Sequence, residues 1–243
     1  MQTLLSSQLS SNTRITENCA LILDNYNLLN ITVAPQCVVS IIILTKTHAP
    51  SEYTLSLTLE DGARVTMWSA TFASLALKMT THLVGNDSVF EHHALYVGKE
   101  KMQITEHLRC VHTGQHTMSR TVVHGLALDQ AQIDVKGMID IALSGHKADT
   151  HFGHEGLLLS ARARIDAEPG LQIKTNDVKA THSSAVHFIR PEQLFYLQTR
   201  SLDEQSGKRM IAEGFLESAL PRIPLDDMRE QISQLIQSSI EHI

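Results

Sequence analysis

LQIKTNDVKATHSSAVHFIRPEQLFYLQTRSLDEQSGKRMIAEGFLESAL, residues Leu171–Leu220, contains the change of regime on which the fold turns. Extended, alternating sequence runs to His182, and a helical pattern takes over at Pro191. A switch of apolar period from about 2 to about 3.6 residues marks the junction of two structural regimes. Pro191 suits a first helical position, where its missing N–H costs nothing, and Glu192 suits the positive end of the helix. Ser201 and Glu204 read as the capping box of a second helix carrying Met210, Ile211, Phe215 and Leu216 on one side. Pro221 and Pro224 break that helix. Leu225, Met228, Ile232, Leu235, Ile236 and Ile240 then form the stripe of a last amphipathic helix, suited either to packing on the body of the fold or to docking a partner.

Upstream, from Cys19 to about Lys179, the sequence holds almost no helical signal. Short strand signals fall at 20–23, 29–33, 38–44, 53–59, 64–68, 75–83, 89–97, 103–111, 118–127, 131–135, 138–143, 156–165 and 171–173, while the first fifteen residues read as frayed. Many short strands of this kind indicate an all-β architecture. Asp61-Gly62 is the one dipeptide of the tight hairpin type. The other connectors, Gly85-Asn86-Asp87, His112-Thr113-Gly114, Ser144-Gly145-His146 and Glu168-Pro169-Gly170, resemble the corners of a solenoid. No strict hexapeptide period can be extracted, and the pattern leaves a β-helix and a sandwich or barrel both open.

Composition narrows function. The chain has 243 residues and a net charge of −6, which gives no electrostatic footprint for nucleic acid or an anionic membrane. The longest apolar run, 38–44, is far short of the ~20 residues a membrane helix needs. The N-terminus lacks the basic start and apolar core of a signal peptide, so a cytoplasmic location is expected. The three cysteines, Cys19, Cys37 and Cys110, form no CxxC pair and exclude a four-cysteine metal site within the chain. Fourteen histidines suggest metal, but no HxH pair occurs, and His92-His93 would point to opposite faces of a strand. A cupin-type histidine-rich metal-binding protein or enzyme is the alternative this abundance keeps open. There is no G-x-S-x-G elbow and no glycine-rich phosphate loop. The residues alone point to a non-catalytic, β-rich protein that works through its surface.

One further pattern carries more information. Ser119-Arg120 with Gly125, Gly137, Gly156-Leu157-Leu158-Leu159-Ser160 and Ala167-Glu168-Pro169 with Leu171-Gln172-Ile173 lead into Asn176-Asp177-Val178-Lys179-Ala180-Thr181-His182. Leu194-Phe195-Tyr196-Leu197 and Glu213-Gly214-Phe215 follow. In order and spacing this stretch resembles the SufB/SufD family of iron–sulfur cluster assembly proteins, the SufD branch in particular. The resemblance implies a mainly β fold, a right-handed parallel β-helix followed by a C-terminal α-helical subdomain. On this chain that gives an N-terminal extension at 1–18, a β-helix core at 19–188 and a helical subdomain at 189–243, without the family's N-terminal helical domain. It further implies pairing through the β-helix with a SufB-like subunit or as a homodimer. A SufC-type ATPase would dock on the helical tail, for which Pro191, Leu194, Phe195, Tyr196, Arg200, Glu213 and Phe215 are the candidate contacts. No cofactor is implied in isolation, only a transient iron–sulfur cluster at a subunit interface, with His182 as its ligand through a neutral imidazole. The flanks depart from the family pattern: Ala180-Thr181-His182-Ser183-Ser184-Ala185 stands where Cys-Ser-His-Gly-Ala-Thr is usual. Ile173 stands where the SufB branch carries its key cysteine, which implies a subunit that is not self-sufficient.

Overall fold

The computed structural model describes residues 2–23, 27–46, 51–219, 223 and 225–241. Pro221 and Pro224, expected to break a helix, lie outside these residues. The chain winds as a β-solenoid. Its strands are β1 (Gln2–Leu5), β2 (Asn12–Ile15), β3 (Cys19–Leu23), β4 (Leu28–Val33), β5 (Val38–Thr45), β6 (Ser51–Leu59), β7 (Arg64–Thr71) and β8 (Leu75–Leu83). There follow β9 (Val89–Gly98), β10 (Gln103–His112), β11 (Met118–Ala127), β12 (Gln132–Ile141), β13 (Asp149–Leu158), β14 (Arg164–Ile173) and β15 (Lys179–Phe188). Odd strands stack in order into one parallel sheet and even strands into a second. Each coil therefore gives one strand to each sheet. This resolves the choice between sandwich and solenoid, because consecutive strands never pair as hairpins. Residues 2–15, expected to be an extension ahead of the core, contain β1 and β2, which pair with β3 and β4. The two pieces read at 131–135 and 138–143 fall on the single strand β12, and 156–165 spans the end of β13, a corner and the start of β14.

The repeat is long and grows along the chain. Gln2 lies opposite Cys19, Arg64 opposite Val89, Gln103 opposite Gln132 and Gln132 opposite Arg164, offsets of 17, 25, 29 and 32 residues. One corner sets the stacking. Gln36, Gly62, Asp87, His116 and Lys147 all adopt left-handed backbone, with φ between 56° and 64°. Each donates its N–H to the middle residue of the next corner: Asp61 (2.9 Å), Asn86 (2.8 Å), Gln115 (2.9 Å), His146 (2.9 Å) and Asp177 (2.6 Å). Glu60-Asp61-Gly62, Gly85-Asn86-Asp87, Gly114-Gln115-His116 and Gly145-His146-Lys147 are thus one turn repeated. Asn, Asp and His tolerate this conformation because their short polar side chains can bond locally.

Alternation along each strand then divides the residues. Leu21, Ile41, Leu57, Met67, Phe90, Ile104, Ile133 and their neighbours fill the solenoid. A second core forms outside the odd sheet. There Ile42, Trp68, Leu95, Leu126 and Leu157 bury against Ala212 and Leu216 of α2 (Glu204–Glu217) and Ile232, Ile236 and Ile240 of α3 (Asp226–Ile240). Buried Leu and Ile side chains contribute about 1.5–3 kcal/mol each, so these two helices are part of the fold. Of the two uses the sequence left open for the last helix, packing on the body is the one observed. Helix α1 (Pro191–Gln198) has no buried residue. Pro191 holds its first position, and Gln193 Oε1 accepts from Arg190 N at 3.0 Å. The capping box expected at Ser201 is replaced by Asp203, whose carboxylate accepts from Ser206 N at 2.7 Å; Ser201 has φ 68° and lies in the preceding turn.

Candidate functional site

The two ends of the solenoid differ. At the N-terminal end the edge strands β1 and β2 are four residues long, and the 3-10 turn Ser6–Gln8 joins them. Short edge strands resist pairing with other chains. At the C-terminal end, β14 and β15 are ten residues long and close their sheets with one hydrogen-bonding edge unpaired. Almost every residue of β15 is exposed.

His182 stands in the middle of this last strand, not at the end of the extended region, because β15 runs on to Phe188. Ala180 packs on the solenoid core, and Val186 lies against Gly156 beside the core residue Ile165. His182 shares their face by alternation. In the parallel register it lies opposite the buried Phe152 of β13, and it is exposed because no further coil covers it. Gly137 makes room for Phe152, since a Cβ there would stand 2.3 Å from its ring. Val186, Phe188 and Ile173 complete an exposed apolar rim, with Phe188 52% exposed. Sequence reading stopped the strand short and so missed Val186 and Phe188; their alternate spacing with Ala180 and His182 was the available signal. On the opposite face of β15, His151 Nδ1 lies 2.9 Å from Thr181 Oγ1.

The helical candidates separate into two groups. Phe195 (68%) and Tyr196 (58%) are exposed, with the Arg200 guanidinium 5.6 Å from the Tyr196 ring centroid. Pro191 is exposed and Leu194 half-buried, turned towards Gly207 of α2. Glu213 lines a groove of about 440 Å³ between α2 and α3 with Arg209, Gln234 and Gln237. Phe215 instead faces the odd sheet, with its ring 5.6 Å from that of His124 and 6.3 Å from that of His187.

Three other histidines, His92, His112 and His154, serve the interior. His92 approaches Ser69 Oγ at 2.8 Å through Nε2, and His112 lies between Thr117 Oγ1 (2.8 Å) and Ser119 Oγ (2.9 Å). Burial, with His93 adding to it, brings His92 down to about 3. Burial lowers His112 to about 4 against the pull of Asp140, and lowers His154 to about 4 with help from His124. Tyr96 donates its hydroxyl to Glu106, which burial pushes up to about 8. Burial likewise pushes the Cys110 thiol up to about 12, although hydrogen bonds from Ser119 and Thr121 oppose it, so the thiolate needed for iron or sulfide is disfavoured. All three cysteines are buried. Among the described residues no group of three or more His, Cys, Asp or Glu side chains converges on a metal-sized site. No described helix is long and apolar enough to cross a membrane.

The chain matches the family model for the SUF system FeS cluster assembly SufBD core domain over residues 8–215. It is similar to the iron–sulfur cluster assembly protein SufD of Bacillus subtilis, with 27% identity over 67% of this chain and 37% of the relative. It is also similar to a SufBD family iron–sulfur cluster assembly protein of Mycobacterium tuberculosis, with 27% identity over 75% of this chain and 55% of that protein. A SufBD family protein of Pyrococcus horikoshii is 31% identical over 46% of this chain and 25% of its own length. The chain thus spans between a quarter and about half of these curated relatives. The match runs through the solenoid and into α2, and the Asn176–His182 stretch proves to be its last left-handed-corner acceptor followed by its last strand. On that agreement of fold and sequence, the chain belongs to the SufBD family of the SUF iron–sulfur cluster assembly system.

Proposed function

We propose that this chain is a non-catalytic, SufD-like subunit of an iron–sulfur cluster assembly complex. It pairs through the open end of its solenoid with a SufB-like subunit or a second copy of itself. A SufC-type ATPase docks on the exposed α1 and α2 surface around Phe195, Tyr196 and Arg200. The observation that carries this reading is the uncovered β15, a ten-residue edge with an apolar rim and a histidine at its centre. The cluster is cargo at the paired interface. His182 coordinates its iron through a neutral imidazole, and the partner provides the remaining ligands.

His182→Ala removes an exposed side chain, so thermal stability is expected to stay within about 0.5 kcal/mol of the parent. Cluster delivery in cells that depend on this chain is expected to fall by about tenfold or more, as for loss of a metal ligand. An unchanged maturation rate in the His182→Ala strain would remove the histidine from the mechanism.

A further inference from the structure

The joint between the helices and the odd sheet contains an unusual component. Along one outer row Ala70, Leu95, His124 and Glu155 follow one another on β7, β9, β11 and β13. Ala70 and Leu95 are buried beneath the helices, and the His124 side chain keeps only 14% of its surface. Phe215 of α2 lies edge-on to the His124 ring, and the ring of His187 on β15 is also edge-on to this phenyl at 6.3 Å. One row over, His93 stacks on Trp68 at 6.2 Å, beneath Ala219, Ile223 and Ile232. His124 thus sits in a largely apolar joint, where its imidazolium would lose most of its water, with His93 and the exposed His187 at the margins.

The charged and titratable groups around His124 are few. Glu155 Oε2 lies 4.0 Å from its Nε2, on the exposed side of the contact. His154, on the same strand as Glu155, is on the opposite face, and its charge would repel that of His124. From α2 the ring meets the phenyl of Phe215, and His187 of β15 approaches the same phenyl. Burial holds the His124 imidazole below its ordinary value, and Glu155 opposes this without reversing it.

We propose that this joint is an acid-weakened latch: protonation of His124 loosens the packing of Phe215 and α2 on the odd sheet and raises solvent access to the apolar patch of Trp68, Leu95, Leu126 and Leu157. The sign follows from linkage. The docked form binds the proton less well than the released form, so docking is fully favoured above the ordinary histidine value of about 6.5 and weakens as pH falls below it. The latch regulates the surface that the C-terminal helices present, and it does not depend on cluster assembly.

Trp68 is the sole tryptophan, only 7% exposed, and reports on the joint directly. Acrylamide quenching of Trp68 is measured from pH 8 to 5, with far-UV circular dichroism recorded at each point. The released fraction is expected to rise by up to about tenfold per pH unit below 6.5 while the β signal persists. His124→Phe keeps the aromatic contact and cannot be protonated, so its quenching profile is expected to be flat; His124→Gln serves if that variant does not fold. Glu155→Gln removes the carboxylate that favours the docked imidazolium and is expected to deepen the acid release. Protonation of His93 beside Trp68 would change intensity without changing accessibility. Equal acid-induced accessibility in the parent and the His124 variant, no accessibility change at all, or loss of the β signal in step with it, would each overturn the latch.

Discussion

Gly85→Ala is expected to cost about 3 kcal/mol of stability, a large effect for one methyl group, because it strikes backbone rather than side chain. A Cβ at Gly85 would stand 2.0 Å from both Asp61 N and the Glu60 carbonyl carbon of the preceding corner. That backbone cannot retreat. Glu60 N is held to Val33 O at 3.1 Å, and Gly85 N itself donates to Leu59 O at 3.0 Å. The same crowding recurs one coil on, where a Cβ at Gly114 would meet Gly85 O at 2.3 Å. Urea unfolding of Gly85→Ala and Gly114→Ala should show midpoints displaced downward with the denaturant slope retained. Gly214→Ala is the control. It is exposed within α2 with nothing within 4 Å of its added methyl, and the change should stabilise by about 0.5–1 kcal/mol. If Gly85→Ala matched the parent, the corner would not set the stacking.

The second large effect concerns pH. Glu106 lies on the inward face of β10 between Ile104 and Leu108; its Oε2 accepts from Tyr96 and its Oε1 has no partner. Its folded value, about 8, lies above the ordinary 4.5. Above pH 4.5 the unfolded chain releases this proton and the folded one keeps it, so the group lowers stability as pH rises, by about 1.4 kcal/mol per unit, until it ionises in both states near 8. His92, His112 and His154 act in the opposite sense. Their folded values of about 3, 4 and 4 lie below the ordinary 6.5, so each loses stability as pH falls from 6.5 towards those values. The slopes change sign near 6.5, where stability is expected to peak. Glu106→Gln should remove the alkaline limb between pH 6.5 and 8 and leave the acid limb in place. An alkaline limb of equal slope in Glu106→Gln would show that another group carries it.

Much of the fold is legible in the sequence, and the exceptions have physical causes. Alternation such as that of Tyr53-Thr54-Leu55-Ser56-Leu57 reports one buried and one solvated face, which solenoid and sandwich strands share. What separates them is the corner. The left-handed residues there are Gln36, Gly62, Asp87, His116 and Lys147, and only one is glycine. Each is stabilised by a bond to the next coil instead of by local turn chemistry, so the repeat carries no fixed residue and its spacing stretches with coil length. Gly85, Gly114 and Gly145, at intervals of 29 and 31 residues, are the signal that could have given the period. At the candidate site, His182 was named through family resemblance, and its exposure follows from being on the last strand. Phe215 was named as a partner contact through the same resemblance, and its ring lies against His124 and His187 of the odd sheet, which helix periodicity alone does not specify. The interior polar pairs Ser69–His92 and Tyr96–Glu106, and the buried His112, were not legible, since polar residues at inward positions break the alternation used to find strands.

The central claim, that the open end of the solenoid is the pairing surface, is tested most directly by the native mass of the purified chain, alone and co-expressed with a SufB-type subunit. Val186→Lys combined with Phe188→Asp charges the exposed rim of β15 without entering the core. The doubly substituted chain should retain its circular dichroism and elute as a monomer, with pairing weakened by at least about tenfold, equivalent to about 1.4 kcal/mol or more. A paired species of undiminished affinity would contradict the account.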